Sequence, residues 1–141
     1  MLNDIAAAID RLAVSLASLE AAYDLLDEHT QDRLEEELFR PVQRAFGRLQ
    51  RTYSEFGART GIPTRKFAPG SPGTQSHSGR EPIERAVDAA READELIVEL
   101  QDSLMPVEVG DPELRAGLSE VRETLARVPD RARELLRVLG R

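Results

Sequence analysis

Seven cations fall between positions 40 and 66: Arg40, Arg44, Arg48, Arg51, Arg59, Arg65 and Lys66, opposed within that stretch by Glu55 alone. The stretch has a net charge of +6, against −8 for residues 1–39 and −5 for residues 67–141, in a chain of net −7. Arg44, Arg48 and Arg51 stand four and three residues apart, so on a helix they share one outer stripe. Guanidinium groups bind carboxylates and phosphates through paired, planar hydrogen bonds. The stripe can therefore balance the acidic outer edges of the first or third helix within the chain. Alternatively it docks an anionic partner: an acidic protein segment, a phosphate-bearing ligand or nucleic acid. Nucleic acid is the least favoured, because the field of the whole chain is acidic and only Phe67 in the adjoining loop could stack on a base.

Other chemistries find little support. The chain has no cysteine, which removes disulfides, thiolate metal sites and cysteine nucleophiles. Its two histidines, His29 and His77, lie in no HxxxH or ExxH pair and read as solvated surface residues. No serine sits in a Gly-x-Ser-x-Gly setting, and no Walker A or Gly-x-Gly-x-x-Gly sequence occurs. Glu84, Asp88, Glu92, Glu95, Glu99 and Asp102 recur at helical spacing, but on the outermost positions of their helix, which marks a solvated face. The sequence therefore predicts no catalytic residue, cofactor or metal ligand.

One family likeness follows from these carboxylates. Arg91-Glu92-Ala93-Asp94-Glu95-Leu96-Ile97 resembles the acidic helix of MazG-like nucleotide pyrophosphatases, all-α enzymes that bind Mg²⁺ through E-E-x-x-E on one helix and E-x-x-D on another. Here, two residues past Glu37 of Glu35-Glu36-Glu37, there is Phe39 and then Arg40, so the first motif is incomplete. Glu92-x-x-Glu95 keeps the second with Glu in place of Asp. The resemblance implies metal-dependent nucleotide hydrolysis as an alternative function.

The elements that position these residues are legible as heptads. Leu2, Ile5, Ile9, Leu12, Leu16, Leu19, Tyr23 and Leu26 form an unbroken apolar seam, flanked by Ala6, Ala8, Ala13, Ser15 and Ala22. This predicts a first helix from about Asn3 to Asp27, with a turn after it and Thr30 as the cap of the next. The second helix spans roughly 31–58, with Leu34, Leu38, Val42, Ala45, Leu49, Thr52 and Phe56 inward. Its seam shifts near Pro41, which predicts a kink or break. Residues 57–79, rich in Gly, Pro and Ser, read as a long flexible loop.

Ser78-Gly79-Arg80-Glu81 has the form of a capping box for a third helix with the seam Ile83, Ala86, Ala90, Ala93, Ile97, Leu100 and Leu104. Its alanines are expected to accommodate Phe46, Tyr53 and Phe56 of the second helix, or else to accept a second chain. Asp111-Pro112-Glu113 opens a fourth helix, with Leu114, Leu118, Val121, Leu125, Val128, Ala132, Leu135 and Leu139 in phase across Pro129. That continuity predicts a kinked helix, ending among Arg131, Arg133, Arg137 and Arg141.

Together these readings predict an all-α, antiparallel four-helix bundle of one domain over 1–141, with a kinked second helix and an up-down-up-down course. No apolar run is long enough for a membrane span, and the first residues lack the basic start of a signal peptide, so the expected location is cytoplasmic. The expected role is a non-enzymatic protein-interaction module, binding another protein or itself as a homodimer. Val14, Val87, Leu96 and Val98 are the off-seam residues available for self-association.

Overall fold

The computed structural model describes residues 1–139; Arg141 of the predicted C-terminal arginine group lies outside them. Every regular element among the described residues is helical. The order is α1 (Leu2–Tyr23), α2 (Glu28–Leu34), a π turn (Glu35–Phe39), α3 (Arg40–Thr60), α4 (Arg80–Asp102), α5 (Met105–Val109), α6 (Pro112–Leu125) and α7 (Val128–Leu139).

The most extensive contact between helices is that of α1 with α4. Ser15 Oγ donates to the Ala86 carbonyl at 2.7 Å, and Gly79 lies against Ala22 and Leu26. The same register sets Ala8 opposite Ala93, so small residues recur every seven positions on both sides. Ala8, Ser15 and Ala22 are fully buried, whereas Leu16 of the expected seam is only half-buried and Tyr23 is 38% exposed. Ala86 and Ala93 therefore face α1, and Ala90 turns toward Leu125 and Val128, instead of the aromatic residues of the second predicted helix. Small residues on both helices let the backbones approach closely enough for a side chain on one to reach a carbonyl on the other.

Other neighbours include α1 with α3, α3 with α6, α4 with α6 and α7, and α7 with the π turn. Arg11 meets Glu92 where Ser15 meets Ala86, so α1 and α4 run antiparallel. Arg48 meets Glu120 and Arg59 meets Asp111, which makes α3 and α6 antiparallel as well. Asp10 reaches Arg65 just beyond the end of α3, so α1 also opposes α3. It follows that α3 and α4 point the same way, in place of the expected up-down-up-down course. Residues 61–79 carry the chain back beside α1 to make this possible.

Several features hold that strap to the helices. Tyr53 and Phe67 rings meet edge-on at 5.3 Å, and the Arg65 amide donates to Tyr53 Oη at 3.1 Å. Gly70 rests on the backbone of Ala13 and Val14, where a Cβ would stand only 2.5 Å from main-chain atoms. Arg85 of α4 donates to the carbonyls of Pro72 and Thr74. Helix α3 runs on to Thr60 and closes on Gly61 in the left-handed conformation, so the loop begins at 61 and not at 57.

The helix boundaries differ from expectation in instructive ways. Asp27, not Thr30, caps α2: its carboxylate accepts from the Thr30 amide and hydroxyl, both at 2.9 Å. The capping box at Ser78 does not form; Gly79 is the N-cap and makes no side-chain bond. Near Pro41 the helical chain continues through the π turn, whose Glu35 carbonyl accepts from the Arg40 amide. One added residue in that turn keeps Leu34, Leu38 and Val42 on the buried side and explains the shifted seam.

At the other proline, α6 ends at Leu125 and α7 begins at Val128, so the predicted fourth helix is broken and not kinked. Its seam nevertheless stays buried on both sides of the break. Leu104 leaves the predicted third seam, takes φ 64° and is 57% exposed. The off-seam Val14, Val87, Leu96 and Val98 are half-buried, which leaves them little free surface for a second copy.

Where α3 crosses α6, Gly117 faces Thr52, whose hydroxyl and methyl occupy the space a Cβ would need. Gly117→Ala is expected to destabilise the chain by about 1–3 kcal/mol through overpacking. Adding Thr52→Ala should recover part of that loss, measured as a double-mutant cycle in urea denaturation. Equal stability of Gly117→Ala and the parent would contradict this packing.

Candidate functional site

The predicted basic residues divide into two groups. Arg48 Nε lies 2.7 Å from Glu120 on α6. Arg59 makes a two-pronged contact with Asp111, both bonds at 2.9 Å, and places Nη1 2.8 Å from Glu113. Arg65 reaches Asp10 at 2.6 Å and stacks over Phe67 at 4.4 Å. These three are balanced within the chain. Two find their partners on α6, however, and only Arg65 turns to an expected acidic edge, that of α1.

Arg40, Arg44, Arg51 and Lys66 form the second group. All are exposed and none has an ion-pair partner among the described residues. Arg40 and Arg44 border a groove of about 620 Å³, to which the α2–π segment adds Arg33, Glu36 and Glu37, and α7 adds Arg131 and Glu134. Glu37 is engaged by Arg33 at 3.4 Å and Glu134 by Arg137 at 3.4 Å. Arg131, half-buried, also has no ion-pair partner among the described residues, so three unpaired guanidinium groups from two elements border this groove. Nothing in the heptad spacing places Arg131 beside Arg40 and Arg44. Its position depends on α7 packing against the π turn after the break at 126–127.

Two carboxylates in capping positions are shifted. Asp111 accepts from the Leu114 amide at 3.0 Å as the α6 N-cap. The Arg59 hydrogen bonds, then that amide, hold its carboxyl below the ordinary carboxylate range. Asp27 is lowered too, by the backbone and then the hydroxyl of Thr30. Conversely, the bond to Asp111 holds Arg59 more firmly protonated, and the bond to Asp10 does the same for Arg65.

The carboxylates of the segment that resembles the MazG-like helix are each engaged by an arginine. Glu92 is engaged by Arg11 at 2.6 Å, and Arg91 bridges Asp88 and Glu95 at 3.3 and 3.1 Å. Glu36 and Glu37 lie on the π turn beside arginines. No three His, Asp or Glu side chains among the described residues converge in a way that could hold a metal ion. His29 and His77 are both exposed. No described helix is long and apolar enough to cross a membrane. Comparison with protein-family models, with curated proteins and with solved structures finds no match to this chain.

Asp111 offers a pH test of the α3–α6 junction. A depressed folded-state pKa contributes stability that is present above the unfolded-state value and is lost as pH falls through the lowered one. Stability measured by urea denaturation should therefore fall more steeply below about pH 4 in the parent than in Asp111→Asn. The variant should also be less stable at pH 7. Parallel pH profiles would show that Asp111 and Arg59 do not cooperate.

Proposed function

We propose that this chain is a cytoplasmic, non-enzymatic interaction module: an antiparallel four-helix bundle, bent at the π turn before Pro41, that docks an acidic segment of a partner protein. The observation that carries this reading is the division among the seven basic residues. Arg48, Arg59 and Arg65 are committed to internal carboxylates, whereas Arg40 and Arg44 open with Arg131 into a groove, and Arg51 continues the exposed line along α3.

Forked guanidinium donors suit a run of carboxylates, and an open groove between helices suits a peptide segment. The mixed lining also favours this ligand. Glu36, Glu37 and Glu134 in the same groove would repel a densely charged nucleic-acid backbone while leaving room for spaced Asp and Glu side chains. A separate partner is preferred to a second copy because the valines and leucine off the main seams are half-buried.

The test reverses only unpaired cations. Arg40→Glu, Arg44→Glu and Arg51→Glu combined should abolish capture of an acidic partner from the native cell while leaving helicity and melting unchanged. Undiminished capture by that variant would sink the reading.

A further inference from the structure

On the other side of the π turn lies a second groove, of about 420 Å³, with the opposite charge. Leu19 and Leu34, each only 1% exposed, close its floor and leave the free apolar surface to its aromatic residues. Tyr23 of α1 and Phe39 of the π turn add aromatic surface; the first is 38% exposed and the second half-buried. Glu20, Asp24 and Glu35 border the same groove, are exposed, and have no ion-pair partner among the described residues.

The π turn explains the arrangement. Turns closed between residues i and i+5 bring positions five apart nearly into line, where an α-helix would carry them well around its cylinder. Phe39 thereby shares the side of Leu34 and Glu35. Leu19–Asp24 on one wall and Leu34–Phe39 on the other each extend about 8 Å, the span over which a docked helix presents residues i, i+3 and i+4.

We propose that this groove docks a basic amphipathic helix from a partner protein. Its apolar side chain would lie against the rings of Tyr23 and Phe39, with Lys or Arg one turn away on Glu20, Asp24 and Glu35. Burial of that side chain supplies the hydrophobic term. The unpaired carboxylates, assisted by the aromatic faces, select the cation. The same carboxylates repel an anionic membrane surface, and the open trough favours a helix over an enclosed small molecule.

The full chain can be titrated against a fluorescent helical peptide of about 14 residues with Leu at i, i+3, i+4 and i+7 and Lys elsewhere, read by anisotropy. Two further peptides replace Lys by Glu, or Leu by Ser. The Leu/Lys peptide should bind, and both replacements should weaken binding by roughly tenfold or more. The variant Glu20→Gln, Asp24→Asn, Glu35→Gln should lose a similar factor, and Tyr23→Ala should weaken binding as well. A variant with equal charge removed elsewhere, Asp102→Asn, Glu108→Gln and Glu123→Gln, should bind as the parent does.

Failure of the Leu/Lys peptide to bind would overturn the proposal. So would equal losses in the two charge variants, because binding would then reflect the general acidic field. The basic groove is untouched by all of these substitutions, so its reading stands or falls separately.

Discussion

The hydrogen bond from Ser15 to the Ala86 carbonyl lies at the contact on which the other elements depend. It forms only because α1 and α4 approach through Ala8, Ser15 and Ala22 on one side and Gly79, Ala86 and Ala93 on the other. A large residue at any of these positions would push the helices apart and leave a buried hydroxyl without its acceptor. The antiparallel pairing of α1 with α4 then dictates the path of the chain between α3 and α4. Because α3 also opposes α1, the connection must return along the molecule, and residues 61–79 do so. Gly70 allows that return path to lie directly on the α1 backbone, with Phe67 anchoring it against Tyr53.

The π turn before Pro41 has consequences of a different kind. Proline in a regular helix removes an N–H donor and crowds the carbonyl four residues earlier. A wider turn just before it relieves that crowding and lets the chain stay helical from Glu28 to Thr60. The added residue also redistributes side chains. Glu35 and Phe39 border one groove with α1, while Glu36, Glu37, Arg40 and Arg44 border another with α7. One irregular turn thus separates an acid-rimmed apolar trough from an arginine-rich one.

The apolar periodicity made the all-helical class and several buried faces readable. Every expected inward residue of the helix through Pro41 is buried, and the seam after Asp111 is buried through Leu135. What escaped was information that no local pattern contains. The heptad of α1 could not reveal that its small flanking residues, not Leu16 or Tyr23, would make the tightest contact, because that depends on the alanines of α4. Ser78 could not reveal that burial of Gly79 against Leu26 would leave the box unformed. In-phase residues around Pro129 read as one helix, since a two-residue break can preserve a seam. The direction of α4 lay in the length of the loop, which permitted two courses, and only packing chose between them.

The basic residues show how angular position sorts charges that composition alone presents as one group. At about 100° per residue, Arg40, Arg44 and Arg51 of α3 fall within about 40° of one another. Arg48 and Arg59 lie about 40–60° farther round, toward α6, and there they meet Glu120, Asp111 and Glu113. Exposed ion pairs of this kind contribute little stability one by one. Their effect is to neutralise one edge of α3 and leave the adjacent strip positive. The unpaired strip then continues into Arg131 of α7, and the local field of that face opposes the net negative charge of the chain. Among the described residues, that contrast concentrates positive potential in one place on a body that otherwise repels anions.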